Sequence, residues 1–209
     1  MTELWAEMKA YAKIHQVPIL RDAELPLFRG LVTAARPSSV LEIGAAIGYS
    51  TLQIASCLTA ESRITTIEID AERIAAARDF IGRSPYGEMI RLLEGDGTAL
   101  LDELDETWDF VFLDGPKGQY SRQLAKIMPK LRPGAVVVAD NIRYHDMFYI
   151  EGTVPHKHRT AVGRLREFLD MIYDDDRFES VFFENGDGMT VPDGKDNTHA
   201  ENGIAGSGR

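Results

Sequence analysis

Asp109–Tyr120 reads DFVFLDGPKGQY. The apolar run Phe110 to Leu113 has the composition of a buried strand, and it ends on Asp114. Lys117 follows three residues later, in a turn containing Gly and Pro. A second apolar run, GAVVVADN, ends on Asp140 and Asn141. Two carboxylates and an amide oxygen at neighbouring strand tips are hard donors. They suit Mg2+, Mn2+ or Ca2+, with water or substrate completing the shell. Asp-Gly-Pro and Asp-Asn are also good turn formers, so each alone has a purely structural explanation.

Three further strand ends carry polar groups. VLEIGAAIGYS places Glu42 before Gly44, with Gly48 and Ser50 following. Glycines in the turn after a first strand let a ligand approach the backbone closely. The spacing is not that of a dinucleotide fingerprint. Glu42 suits a cationic ligand better than a phosphate. Glu68, 20 residues after Gly48, ends the next strand, IEID, where an acid can accept both hydroxyls of a ribose. Asp96 ends the third, in EGDG, where it can meet an adenine amino group.

The elements that position these residues alternate. Strands SSVLEIG, RITTIEID, MIRLLEG, WDFVFLD and GAVVVADN are separated by helical stretches YSTLQIASCL, AERIAAARDFIG, GTALLDEL and YSRQLAKIMPKL. Such alternation means crossover units and a parallel sheet, and runs such as AVVVA fit strands covered on both faces. After helix AVGRLREFLDMIY come FESVFFE and GMTVP, joined by NGDG, which has hairpin turn chemistry. The expected architecture is α/β: a seven-stranded, mostly parallel sheet with a reversed strand in a C-terminal hairpin and helices on both faces. Residues 1–36 form N-terminal helices, 37–192 the main domain, and 193–209 a polar, Gly-rich tail expected to be disordered.

The first helix, from MTELWAEMKAYAKIHQ, is amphipathic, with Leu4, Trp5, Met8, Tyr11 and Ala12 on one side. An exposed Trp5 there points to a cap that also makes a homodimer. The 209 residues are 44% apolar, and no run approaches the ~20 residues of a membrane helix. The N-terminus lacks the layout of a signal peptide, and a cytoplasmic home is the default expectation. The one cysteine, Cys57, reads as a small core residue rather than a nucleophile. A net charge of −10 argues against a chain that coats itself in nucleic acid. One local basic run stands out, His156–Arg166, with Lys157, Arg159, Arg164, Arg166 and no acid. It is either an ordinary charged loop and helix face or a phosphate contact. His156 and His158 form an H-x-H pair, but with a hard-donor site already present they read as loop or substrate contacts.

The strand-end constellation resembles the class I S-adenosylmethionine (SAM) methyltransferases, with their Rossmann-like fold, over Val40 to Val191. The resemblance implies that Gly44 and Gly48 lie under the methionine part of SAM with Glu42 and Ser50 close by. It also implies that Glu68 holds the ribose and Asp96 the adenine edge, with Asp114 at the same rim. D-x-x-K-G followed by a strand-ending D-N is similar to the metal-dependent O-methyltransferases of the catechol and caffeoyl-CoA type. By that likeness Asp114, Asp140 and Asn141 are metal ligands and Lys117 is the general base. A bound metal lowers a substrate hydroxyl's pKa and orients it.

Finer features, namely VPIL, KGQY, HR before GRLREFL, DDRFES and GDG, resemble the bacterial subgroup that methylates 5-hydroxyuridine at the tRNA wobble position. Hydroxyuridine and catechol both offer two adjacent oxygens, so a metal site cannot separate them. The basic run can: an anticodon loop needs phosphate contacts, and a small catechol needs none. The resemblance therefore implies tRNA as substrate, with Lys157, Arg159, Arg164 and Arg166 on the RNA. A small catechol-like phenol is the alternative. A SAM-fold protein that only binds partners is the third reading, and the intact Asp114, Lys117, Asp140 and Asn141 speak against it.

Overall fold

The computed structural model describes residues 1–140, 159–173, 178–183 and 189–194. Asn141, His156, Lys157, His158, the NGDG turn and residues 195–209 lie outside the described residues. Helices α1 (Thr2–His15) and α2 (Leu25–Ala35) precede β1 (Ser39–Ile43). There follow α3 (Tyr49–Ala55), β2 (Arg63–Glu68), α4 (Ala71–Gly82), β3 (Ile90–Glu94), α5 (Gly97–Leu100) and β4 (Trp108–Leu113). The chain continues with α6 (Tyr120–Ile127), β5 (Leu131–Asp140), α7 (Arg159–Tyr173), β6 (Phe178–Phe183) and β7 (Met189–Gly194).

The strand order is β3-β2-β1-β4-β5-β7-β6. β1 pairs in parallel with β2 and β4, β2 with β3, and β4 with β5. β7 runs antiparallel to both β5 and β6. The chain therefore leaves β1 toward one edge and returns at β4 to build the other half. The carboxyl ends of β1 and β4 flank the crevice where such sheets take ligands.

Period-two alternation builds two cores. Val40, Phe110 and Phe112 face one layer with Met8, Phe28, Leu52, Ile54 and Phe80. Leu41, Ile43, Val111 and Leu113 face the other, with Tyr120, Leu124, Leu165 and Phe168. Both faces are covered, which is why the central strands read as continuous apolar runs. Individual boundaries follow local chemistry. Asp70 caps α4 by accepting from the amides of Glu72 and Arg73. Pro26 sits in the first turn of α2, so the helix begins at Leu25, four residues later than the stretch RDAELPLFRGLVTAAR suggests.

Two expectations need correction. Trp5 is half-buried, packed edge-to-face on Tyr49 of the same chain with ring centroids 5.6 Å apart. The exposure that pointed to a homodimer is therefore only partial. Asp193 and Gly194, assigned to the tail, belong to β7, where Asp193 pairs with Val136 and Glu179. The backbone ladder decides this, and ladder pairing is indifferent to a polar side chain at a strand end. The N-terminal helices pack on the sheet: Met8, Ala12, Phe28 and Val32 are buried in the same core as Val40 of β1 and Phe110 and Phe112 of β4. Cys57 is half-buried, its thiol directed at the Gln53 carbonyl 3.4 Å away.

Candidate active site

Each strand tip contributes through its turn. The turn after β1 is held by the amides of Gly44 and Ala45, which donate to the Ile67 carbonyl at 2.9 and 3.0 Å. Gly44 has φ +105°, a conformation that L side chains rarely adopt. Ala46 is also left-handed, at φ 46°, and its amide donates to Glu68 Oε2 at 2.7 Å. Glu68 Oε1 accepts from the amides of Ile69 and Asp70 at 2.9 and 3.0 Å. One carboxylate thus ties the turn after β1 to the turn after β2. An ionised carboxylate has about four acceptor sites, so roughly one remains, on Oε2.

These turns wall a cleft of about 540 Å³. Gly44, Glu68, Asp96, Asp114, Lys117 and Asp140 all line it, so six of the sequence candidates converge on one space. Asp96 also caps α5, accepting from the amides of Thr98 and Ala99 through Oδ1. Asp114 and Asp140 come from the neighbouring tips of β4 and β5. Asn141, the third proposed ligand, lies outside the described residues, and among the described residues no group of three His, Cys, Asp or Glu gathers to hold a metal.

Glu42, Gly48 and Ser50 do not line the cleft. Glu42 shares the strand parity of Val40 and points into the α3 side of the sheet, where it is fully buried. Its oxygens accept from Ser50 Oγ at 2.6 Å and from the hydroxyls of Thr51 and Thr66. Burial raises its pKa above the ordinary carboxylate range, against the pull of those three hydroxyls. Its place is beneath the glycine turn, off the cleft's lining. Gly48 is left-handed at φ +80°, and a side chain there would meet Ile81.

Asp114 is pushed up to about 7. Burial is the chief cause; Lys117 opposes it, and the carboxyls of Asp140, Glu42 and Glu24 add to it. Lys117 Nζ lies 3.7 Å from Asp114 Oδ1 and donates to the Tyr120 hydroxyl at 2.9 Å. The turn folds the lysine back over the strand tip, as the spacing suggests.

Sequence reasoning gave no role to several wall residues. Pro18, Ile19, Arg21 and Glu24 enter the cleft from the α1–α2 connection. Glu24 is buried and accepts from the Arg21 amide at 2.8 Å and from Arg21 Nε at 2.9 Å. VPIL, read as a family likeness before the second helix, places Pro18 and Ile19 on the cleft. Ile69 lines the cleft beside Glu68 and is 65% exposed, an apolar surface left open to the space. An exposed isoleucine directly after a strand-ending acid is a signal that alternation alone does not single out. Gln119 and Gln123 complete the wall.

None of Arg159, Arg164 and Arg166 lines the cleft. Arg164 pairs with Glu167 at 2.7 Å, one residue beyond the run that held no acid. Arg159 and Arg166 are exposed on α7, and Lys157 is outside the described residues.

A cleft over the carboxyl tips of a parallel sheet, with an acid at each of several tips, is the architecture of the Rossmann-like α/β methyltransferases. An O-methyltransferase of solved structure from Bacillus cereus shares the fold, with a TM-score of 0.84 at 21% identity over 92% of this chain and 91% of that one. The chain belongs to the O-methyltransferase family, whose model matches residues 6–193. It is 24% identical to a caffeoyl-CoA O-methyltransferase of Populus kitakamiensis, over 89% of this chain and 82% of that protein. It is 29% identical to a catechol O-methyltransferase of Niastella koreensis, over 54% of this chain and 52% of that one.

Proposed function

We propose that the chain is a SAM- and divalent-metal-dependent O-methyltransferase that methylates one hydroxyl of a catechol-like phenol. The observation that carries this reading is the meeting of Asp114, Asp140 and Lys117 in the cleft that Glu68 and Asp96 also line. The site fits SAM. Glu68 keeps an acceptor position for a ribose hydroxyl, Ile69 offers an apolar surface to a purine, and Asp96 stands at the next tip. SAM would supply an electrophilic methyl group on a sulfonium.

The donor set also fits a hard divalent cation. Two oxygen donors share the wall, and Asp114 resists carrying a charge that a cation would balance. Asp114 and Asp140, with Asn141, would hold it, and it would acidify and orient the phenol's two oxygens. Lys117 takes the proton of the hydroxyl to be methylated. Bound SAM would present its sulfonium methyl in line to that oxygen, the carbon–sulfur electron pair staying with sulfur. The cleft walls do the rest by placement.

The finer reading from the sequence, 5-hydroxyuridine in a tRNA anticodon loop, rests on Lys157, Arg159, Arg164 and Arg166. Arg164 is already paired, and the relatives named above carry catechol and caffeoyl-CoA in their names. The phenol is therefore placed first. The test is methyl transfer from labelled SAM to catechol with Mg2+ or Mn2+, with and without EDTA. Turnover should vanish in chelator and return with metal. Full turnover in chelator would refute the metal part. Transfer to 5-hydroxyuridine RNA but to no vicinal diol would replace the substrate.

A further inference from the structure

Tyr120 opens α6 and is completely buried, yet its hydroxyl reaches the working end of the cleft. The oxygen is 2.9 Å from Lys117 Nζ, 2.8 Å from the Leu113 carbonyl and 3.2 Å from the Asp140 carbonyl. Leu113 precedes Asp114, so this hydroxyl sits between the ends of the two strands that carry the acid pair. Phe168 of α7 backs the ring, with centroids 5.4 Å apart.

We propose that Tyr120 is a positioning residue for Lys117, fixing where the amine points its lone pair. The inference rests on reading Lys117 as the base. A phenol has one proton. Its two carbonyl neighbours can only accept, so the proton goes to them. Toward Lys117 the oxygen can therefore only accept, and the amine must present an N–H to it. A lone pair aimed at Tyr120 would face another lone pair. It is turned instead toward the cleft that Lys117 lines. The Tyr120 ring, 5.1 Å from Nζ, narrows the amine's sweep further.

The experiment compares Tyr120→Phe, Lys117→Met and the double variant in catechol methylation. Mn2+ affinity by electron paramagnetic resonance, SAH affinity by calorimetry and Tm are measured on each. Tyr120→Phe should lower kcat about 10- to 100-fold, leaving KM for catechol and both affinities within about twofold. In the Lys117→Met background the same change should have no further effect. Unchanged kcat in a folded Tyr120→Phe, with Lys117→Met inactive, overturns the proposal and leaves Lys117 as base. A kcat loss that persists without Lys117, or weaker Mn2+ binding, assigns Tyr120 to holding the strand ends and also overturns it. A fully active Lys117→Met overturns the base reading and the proposal together. Should Tyr120→Phe fail to fold, 3-fluorotyrosine at position 120 keeps the hydroxyl but weakens its oxygen as an acceptor. It should lower kcat with KM constant, and an unchanged kcat again refutes the role.

Discussion

A methyl group on Gly44 would stand 2.7 Å from the carbonyl oxygen of Asp114. The turn after β1 and the turn after β4 are in backbone contact, and the Asp114 amide donates to the Ile43 carbonyl at 2.9 Å. The half of the cleft that reads as the cofactor side and the half that reads as the metal side are thus joined through the backbone. Gly44→Ala meets two penalties, a left-handed φ of +105° and backbone atoms that cannot swing away. Together these should destabilise the fold by about 2–5 kcal/mol. Urea denaturation measures this. A loss below about 1 kcal/mol would mean the two turns move apart freely.

Glu42 gives a pH signature. Its folded pKa is raised by burial, whereas in the unfolded chain it titrates near about 4.3. Below that value both states hold the proton, and the group is neutral to stability. As pH rises past it, only the unfolded chain ionises, so stability falls until the folded pKa is reached. Gln at this position carries no charge, and the hydroxyls of Ser50, Thr51 and Thr66 can turn to accept from its amide. Unfolding free energies of wild type and Glu42→Gln should therefore diverge as pH rises above about 4.3, with the variant gaining as pH rises. Parallel curves would show that Glu42 is ionised in the fold.

For Glu68, the remaining acceptor position on Oε2 is what a ribose hydroxyl would use. Holding both hydroxyls requires one of the three amide bonds to lengthen. Glu68→Ala removes the acceptor and also releases the left-handed Ala46. A charged hydrogen bond is worth about 1.5–3 kcal/mol, so SAH affinity should drop roughly 10- to 150-fold. Calorimetric titration of the folded variant is the measurement. Wild-type affinity would remove Glu68 from the cofactor site.

What the sequence made legible follows strand by strand. An acid directly at the tip of an apolar run, as at Glu68 or Asp114, has its place set by strand geometry alone, and both line the cleft. Glu42 is one residue short of the tip, and its parity with Val40 turns it under the sheet. Alternation carries that information, but the appeal of a carboxylate beside a glycine turn masks it. Trp5 shows a different limit. Helical period places it on the apolar side of α1, yet its partner Tyr49 is brought there only by packing. Tyr120 was legible only as part of the KGQY likeness; its contacts were not, because its partners are main-chain carbonyls at strand ends, and these exist in every sequence.

The basic helix offers a test that separates the two substrates. Arg159 and Arg166 are exposed on α7, Arg164 is paired with Glu167, and none of the three lines the cleft. A catechol bound between Asp114, Asp140 and Lys117 has no reason to meet them. Replacing Lys157, Arg159, Arg164 and Arg166 by Gln should leave kcat and KM for catechol within about twofold. The change in stability should be no more than about 1 kcal/mol, since an exposed pair such as Arg164–Glu167 contributes little. An RNA substrate behaves differently. Each phosphate contact on a single strand makes binding fall by about 0.7 power of salt concentration, so four contacts give a steep dependence that the variant would lose. Both reactions are measured on wild type and the quadruple variant at two salt concentrations. Catechol turnover that is indifferent to salt and to the substitutions supports the small phenol. Salt-sensitive transfer to 5-hydroxyuridine RNA, abolished in the variant while catechol turnover is negligible in both, would make α7 an RNA contact and tRNA the substrate.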